Sequence, residues 1–153
     1  MIEIKLYKEL LMDLVAKVNL QVKDRIEGVQ MGVHEGHLQK KLKDREGVWL
    51  CSNFPDAELR GEFDNYEEQN KVVLFLVEKV PSGKWTDDQE LEHYARLQRI
   101  MGAVKQALLA SELACTELKA DKGMRTEWEY DIFGGFNGLS LGLNMTDYDT
   151  TLH

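Results

Sequence analysis

His34 and His37 stand three residues apart in Val-His-Glu-Gly-His, and Glu90-x-x-His93 repeats the interval with a carboxylate in place of the first imidazole. The second spacing is half of a carboxylate-bridged metal site. A di-iron bundle needs two such Glu-x-x-His pairs and two further glutamates from four helices. This chain supplies one pair and too few helices. Glu90 and His93 therefore read as part of a solvated, acidic first turn of a helix, and His34 and His37 as loop residues. No metal and no cofactor is expected. Nucleophilic chemistry is no better supported. Cys51 lies in an apolar strand-like run, where a free cysteine acts as a small hydrophobe, and Cys115 follows a helical alanine. There is no Gly-x-Ser-x-Gly elbow and no Walker-type loop. The run Gly134-Gly135-Phe136-Asn137-Gly138 lacks the Lys-Ser/Thr ending of a phosphate cradle and does not lead into a helix. A hairpin turn explains it.

The elements that would position these residues follow from periodicity. Tyr7, Leu10, Leu11, Leu14, Val15, Val18 and Val22 recur at three- and four-residue steps, predicting a helix over about residues 4–24. Val29, Met31 and Val33 suit a short strand weakened by Gly28, Gly32 and Gly36. Residues 37–47 read as polar loop, and the basic Lys40-Lys41-Leu42-Lys43 with Arg45 as a solvated loop or helix face. Val48–Phe54 is a β-rich run closed by Pro55, and Glu58–Asn70 an acidic loop. Lys71–Val80 is the clearest strand, because Val72 to Val77 is continuously apolar, as in a strand covered on both faces. The pleat sends Val73, Phe75 and Val77 to one layer and Val72, Leu74 and Leu76 to the other.

Pro81-Ser82-Gly83 is a turn, and Thr86-Asp87-Asp88-Gln89 a capping box that opens a helix from Asp87 to Leu113 or beyond. Its stripe is Leu91, Tyr94, Leu97, Met101, Val104 and Leu108, and Asp121-Lys122-Gly123 closes the helical region. A hairpin follows. Trp128, Tyr130 and Ile132 form its buried face, and Gly134-Gly135 and Asn137-Gly138 supply the turn chemistry. Leu139, Leu141, Leu143 and Met145 then alternate with small or polar residues before a polar tail from Thr146. Trp49 and Trp128 read as core. Trp85, just before the N-cap, reads as a hydrophobic staple or an exposed anchor. The result is one α+β domain over residues 1–153: an antiparallel or mixed sheet of four to five strands with two main helices on one face.

A net charge of −8 argues against a nucleic-acid binder. Two widely spaced cysteines, no leader pattern at Met1 and no apolar run of membrane-spanning length point to a reduced, cytoplasmic, water-soluble protein.

The order helix, strands, turn, long helix, hairpin resembles small tail-completion or tail-terminator proteins of tailed bacteriophages and prophages. Lys71-Val-Val-Leu-Phe-Leu-Val-Glu-Lys79 leading into the Thr86–Leu108 helix carries the likeness, with the terminal Phe136-Asn-Gly-Leu-Ser-Leu-Gly-Leu-Asn-Met-Thr-Asp147. The resemblance implies a non-enzymatic structural role, by self-association or contact with other tail proteins, in the cytoplasm or the virion. Phe133 and Phe136, beside the turn glycines, and Trp85 are the expected contact surface. Two other classes remain open: a small metal-dependent enzyme or metal-binding module using His34, His37, Glu90 and His93, or a regulatory domain holding a small ligand beneath its sheet.

Overall fold

The computed structural model describes residues 1–62, 65–81, 83–110, 118–120 and 123–147. Helix α1 (Ile4–Asn19) is capped by the Glu3 carboxylate, which accepts from the amides of Lys5 (3.1 Å) and Leu6 (2.8 Å). It ends short of the expected residue 24. The Asn19 side chain instead exchanges two hydrogen bonds, 3.0 and 2.8 Å, with the backbone of Ile26, pinning the start of the next strand. That strand, β1 (Ile26–Gly32), keeps its glycines for close approach: a Cβ on Gly28 would meet the Trp49 ring at 2.8 Å and one on Gly32 would meet Leu38 at 2.9 Å.

Residues 37–47 are not loop alone, because helix α2 (Glu35–Leu42) occupies the first half and buries Leu38 and Leu42, one helical turn apart. Strand β2 (Val48–Asn53) stops before Pro55. The expected acidic loop is a hairpin, built from β3 (Asp56–Glu62) and the first half of β4 (Asn65–Lys79). Helix α3 (Asp87–Ala110) opens with the anticipated capping box. Thr86 Oγ1 accepts from Gln89 N (3.2 Å), and Gln89 Oε1 from Thr86 N (2.9 Å). Its predicted extension to Leu113, like Cys115 and Asp121-Lys122, lies outside the described residues. Leu118–Ala120, expected within the helical region, is a short strand, β5. Strands β6 (Arg125–Ile132) and β7 (Phe136–Asp147) complete the chain, with Asn137-Gly138 inside β7 rather than in the turn.

The protein is α+β. Its sheet is mixed, with β1 parallel to β2 and the other pairs antiparallel. It has more strands than the expected four to five: six substantial ones and the three-residue β5. The excess has a simple origin. Strands β2 and β3 pair successive stretches of the same side of β4, and β6 and β5 do the same along β7. Interruptions such as Pro55 divide what would be long strands, while no more than five lie side by side at one level.

Strand β4 is interior, between β2 and β7. Val72, Leu74 and Leu76 face α1 and α3 in the main core, alongside Leu139, Leu141 and Leu143 of β7. Phe75 and Val77 face the other way, into a smaller cluster with Leu38, Leu42, Cys51, Phe133 and Phe136. The two long helices share the first face, as expected, and α2 covers part of the second. On the α3 stripe Leu97, Ile100, Met101, Val104 and Leu108 are buried, whereas Leu91 is exposed.

Candidate functional site

The aromatic residues of the last hairpin are distributed in the opposite way to expectation. Phe133 (3% exposed) and Phe136 (0%) are buried, so neither is an exposed contact. Phe133 packs edge-to-face on Phe75 at 5.0 Å, and both phenylalanines lie with Leu38 and Leu42 of α2. The covering helix comes from far away in sequence, so adjacency to turn glycines could not reveal it. Trp128 (57%) and Tyr130 (71%), expected in the core, are exposed instead. Trp85 is 37% exposed. One side of its ring packs on His93 at 5.1 Å, so it both staples the start of α3 and reaches solvent.

These residues lie along one border of the molecule. Among the described residues strand β6 pairs with β7 only, which leaves its outer edge without a second strand. Trp128, opposite Leu139, points to the face that carries α1 and α3. The N-terminal half of α3 reaches it through the Tyr94 ring, edge-on at 5.6 Å. The Tyr94 hydroxyl donates to Glu129 O (2.9 Å), tying helix to strand. A bulge between Glu129 and Ile132, with positive φ at Asp131 (51°) and Phe133 (52°), ends regular pairing. Among the described residues the ladder without a second strand is therefore Arg125–Glu129, with the Glu129 carbonyl taken by Tyr94.

Beneath this border sits a half-buried charge cluster. Glu78, at the end of β4, pairs with the Arg96 guanidinium, and its Oε1 lies 3.4 Å from His93 Nε2. That His93 contact is within ion-pair reach but outside hydrogen-bond geometry, and among the described residues neither ring nitrogen has a hydrogen-bond partner. Burial pushes the Glu78 carboxyl up, but His93 and Arg96 together outweigh it and hold it below its ordinary value. His93 is 3% exposed rather than on a solvated face, which separates it from Glu90 on the surface of the same helix.

The other candidate pair has a structural task. His34 is the N-cap of α2, its Nδ1 accepting from His37 N (3.2 Å), while His37 Nδ1 accepts from Val33 N (3.0 Å). The two imidazoles thus form a reciprocal cap in place of the usual Ser/Thr and Glu. Among the described residues no group of three His, Cys, Asp or Glu side chains converges on a point where a metal could be held. Cys51 is buried, and burial pushes its thiol up to about 12, leaving it neutral and unreactive. Among the described residues, no helix is long and apolar enough to cross a membrane.

No protein-family model and no curated protein matches the chain. Sequence reasoning missed Trp128 and Tyr130 as surface residues. Their alternation with Glu127, Glu129 and Asp131 fixes two faces, but whether a helix covers the aromatic one depends on where α3 lies.

Proposed function

We propose that this chain is a non-enzymatic structural protein that acts by self-association, with the open edge of β6 and its flanking aromatic residues as the contact line. One observation carries the reading: Trp128 (57% exposed) and Tyr130 (71%) project from a strand that, among the described residues, is paired on one side only. Unpaired ladder groups can be satisfied by a second strand, and indole and phenol rings supply apolar area at small entropic cost. Trp85 and Leu91 extend the surface onto α3. The element order, which resembles tail-completion proteins, supplies a setting at the end of a phage or prophage tail, with other tail proteins as further partners. No cofactor, nucleic acid or membrane enters this reading, and the protein works in the cytoplasm or the virion.

Sedimentation velocity over a concentration series tests it, comparing wild type with Trp128→Ser/Tyr130→Ser. Wild type should sediment faster as concentration rises, and the double variant should remain monomeric with an unchanged circular dichroism spectrum. A wild type that stays monomeric throughout, or a variant that associates equally well, contradicts the proposal.

A further inference from the structure

The second face of the sheet holds a cleft that the association reading does not use. Its volume is about 370 Å3, and its floor is Val73 and Phe75 of β4, with Phe133 against Phe75. It exists because β7 places nothing large beside them. Gly142 is the partner of Val73 and Ser140 the partner of Phe75, whereas the leucines of β7 point to the other face. One wall is the first turn of α2, with Glu35 and Leu38, and the other is β6, with Glu129 and Ile132. A small-molecule site is typically a cavity of roughly 300–1,000 Å3, mostly apolar, with a few placed polar groups. This cleft has that size and that composition.

We propose that the cleft binds a small organic ammonium: an apolar or aromatic body on Val73 and Phe75, its cationic head between Glu35 and Glu129. The charge of the rim selects the class. Both carboxylates border an apolar floor, and among the described residues neither has a cation paired with it. Glu129 is half-buried and, among the described residues, its carboxylate accepts one hydrogen bond, from Ser140 Oγ at 2.8 Å, which leaves acceptor capacity on an uncompensated charge. Two further polar side chains at the rim have structural tasks. Asn53 Oδ1 accepts from Val73 N (2.8 Å), its amide donates to the carbonyls of Phe54 and Lys71, and His34 Nδ1 caps α2. The N-terminus of α2 by itself would favour an anion, but Glu35 in its first turn already places negative charge there. An anionic ligand would meet two carboxylates, and a neutral one would leave both without a cation.

One scaffold in three charge states tests the proposal: 4-phenylbutylammonium, 4-phenylbutanol and 4-phenylbutyrate. Binding is read by calorimetry and by the methyl resonances of Val73, Leu38 and Ile132. The ammonium should saturate at millimolar concentration or below and shift those methyls, while the alcohol and the carboxylate bind at least tenfold more weakly. Glu129→Gln, a near-isosteric change, should weaken the ammonium about tenfold or more, the scale of a charge-assisted hydrogen bond. Val73→Phe, which fills the floor from a half-buried position, should remove the methyl shifts while the amide spectrum stays folded. Absence of ammonium binding at millimolar concentration, equal binding of the alcohol, or indifference to Glu129→Gln would overturn the proposal. Association through β6 is read separately, by sedimentation of the same Glu129→Gln and Val73→Phe variants, because the cleft is on the second face whereas Trp128 of the contact line points to the first.

Discussion

Among the described residues two outer strands, β1 and β6, each pair on one side only, and the chain treats them differently. The β1 edge is attended. Both α1 and α2 pack against the strand, and Lys41 Nζ donates to Met31 O at 2.6 Å, so a charged side chain satisfies a carbonyl of the edge strand itself. Lysine at an edge is a common device against unwanted pairing. The β6 edge has a bulge at one end and its Glu129 carbonyl accepts from the Tyr94 hydroxyl, but among the described residues the rest of the Arg125–Glu129 ladder has no second strand and its flanking rings are exposed. An edge meant to stay single is covered by its own chain. Among the described residues no second strand pairs with β6 beside its two exposed aromatics, and that is the physical basis for reading β6 as a contact line.

That contrast can be broken from either side. The largest effect should come from the wall behind β6. Leu97→Ala or Met101→Ala removes a buried α3 side chain and should cost about 2–5 kcal/mol each by urea unfolding. A loss under about 1 kcal/mol would mean that α3 does not wall the core. Next is the charge cluster under the aromatic border. Glu78→Gln should cost about 1–3 kcal/mol at neutral pH. Because Glu78 titrates in the folded protein below its ordinary value of 4.5, its contribution is full above that value and drains away as pH falls through the folded one. The variant's stability should therefore fall less steeply with acidification than that of wild type, and parallel profiles would remove the cluster from the account. Smaller again is the α2 cap. His34→Ala should cost about 1 kcal/mol and His34→Asp should recover most of it, since aspartate is a strong N-cap acceptor. Equal losses in both variants would show that the imidazole does something other than cap. Smallest is Trp128→Ser, which should change monomer stability by no more than about 0.5 kcal/mol, the scale of an exposed substitution. A larger loss would place Trp128 in the core after all.

Legibility followed how local each cause was. The alternation of Val72–Val77, the Thr86–Gln89 box and the leucine periodicity of β7 are settled within a few residues, and each appears in the fold as read. Helix α2 was illegible because its apolar face is two residues, Leu38 and Leu42, and its cap is made by histidines rather than a preferred N-cap type. The β3–β4 hairpin was hidden because Glu58–Glu62 is exposed where it is described, so no apolar alternation marks the strand. For the candidate surface, Trp85 was named and does reach solvent. Phe133 and Phe136 were misplaced, and Trp128 with them, because burial there is decided by helices distant in sequence. Composition fixed what could be buried, and tertiary contact decided which aromatic was.

Amide hydrogen exchange at rising protein concentration tests the central claim most directly. Amides within Arg125–Glu129 that point away from β7 are open to solvent in a monomer but would be paired or covered in an assembly. The account predicts that their exchange slows as concentration rises, while amides of β1 keep the same rates throughout and Val72–Val77 stay slow at every concentration. Exchange at Arg125–Glu129 that remains fast and independent of concentration, in a sample that nonetheless associates, would contradict β6 as the contact line.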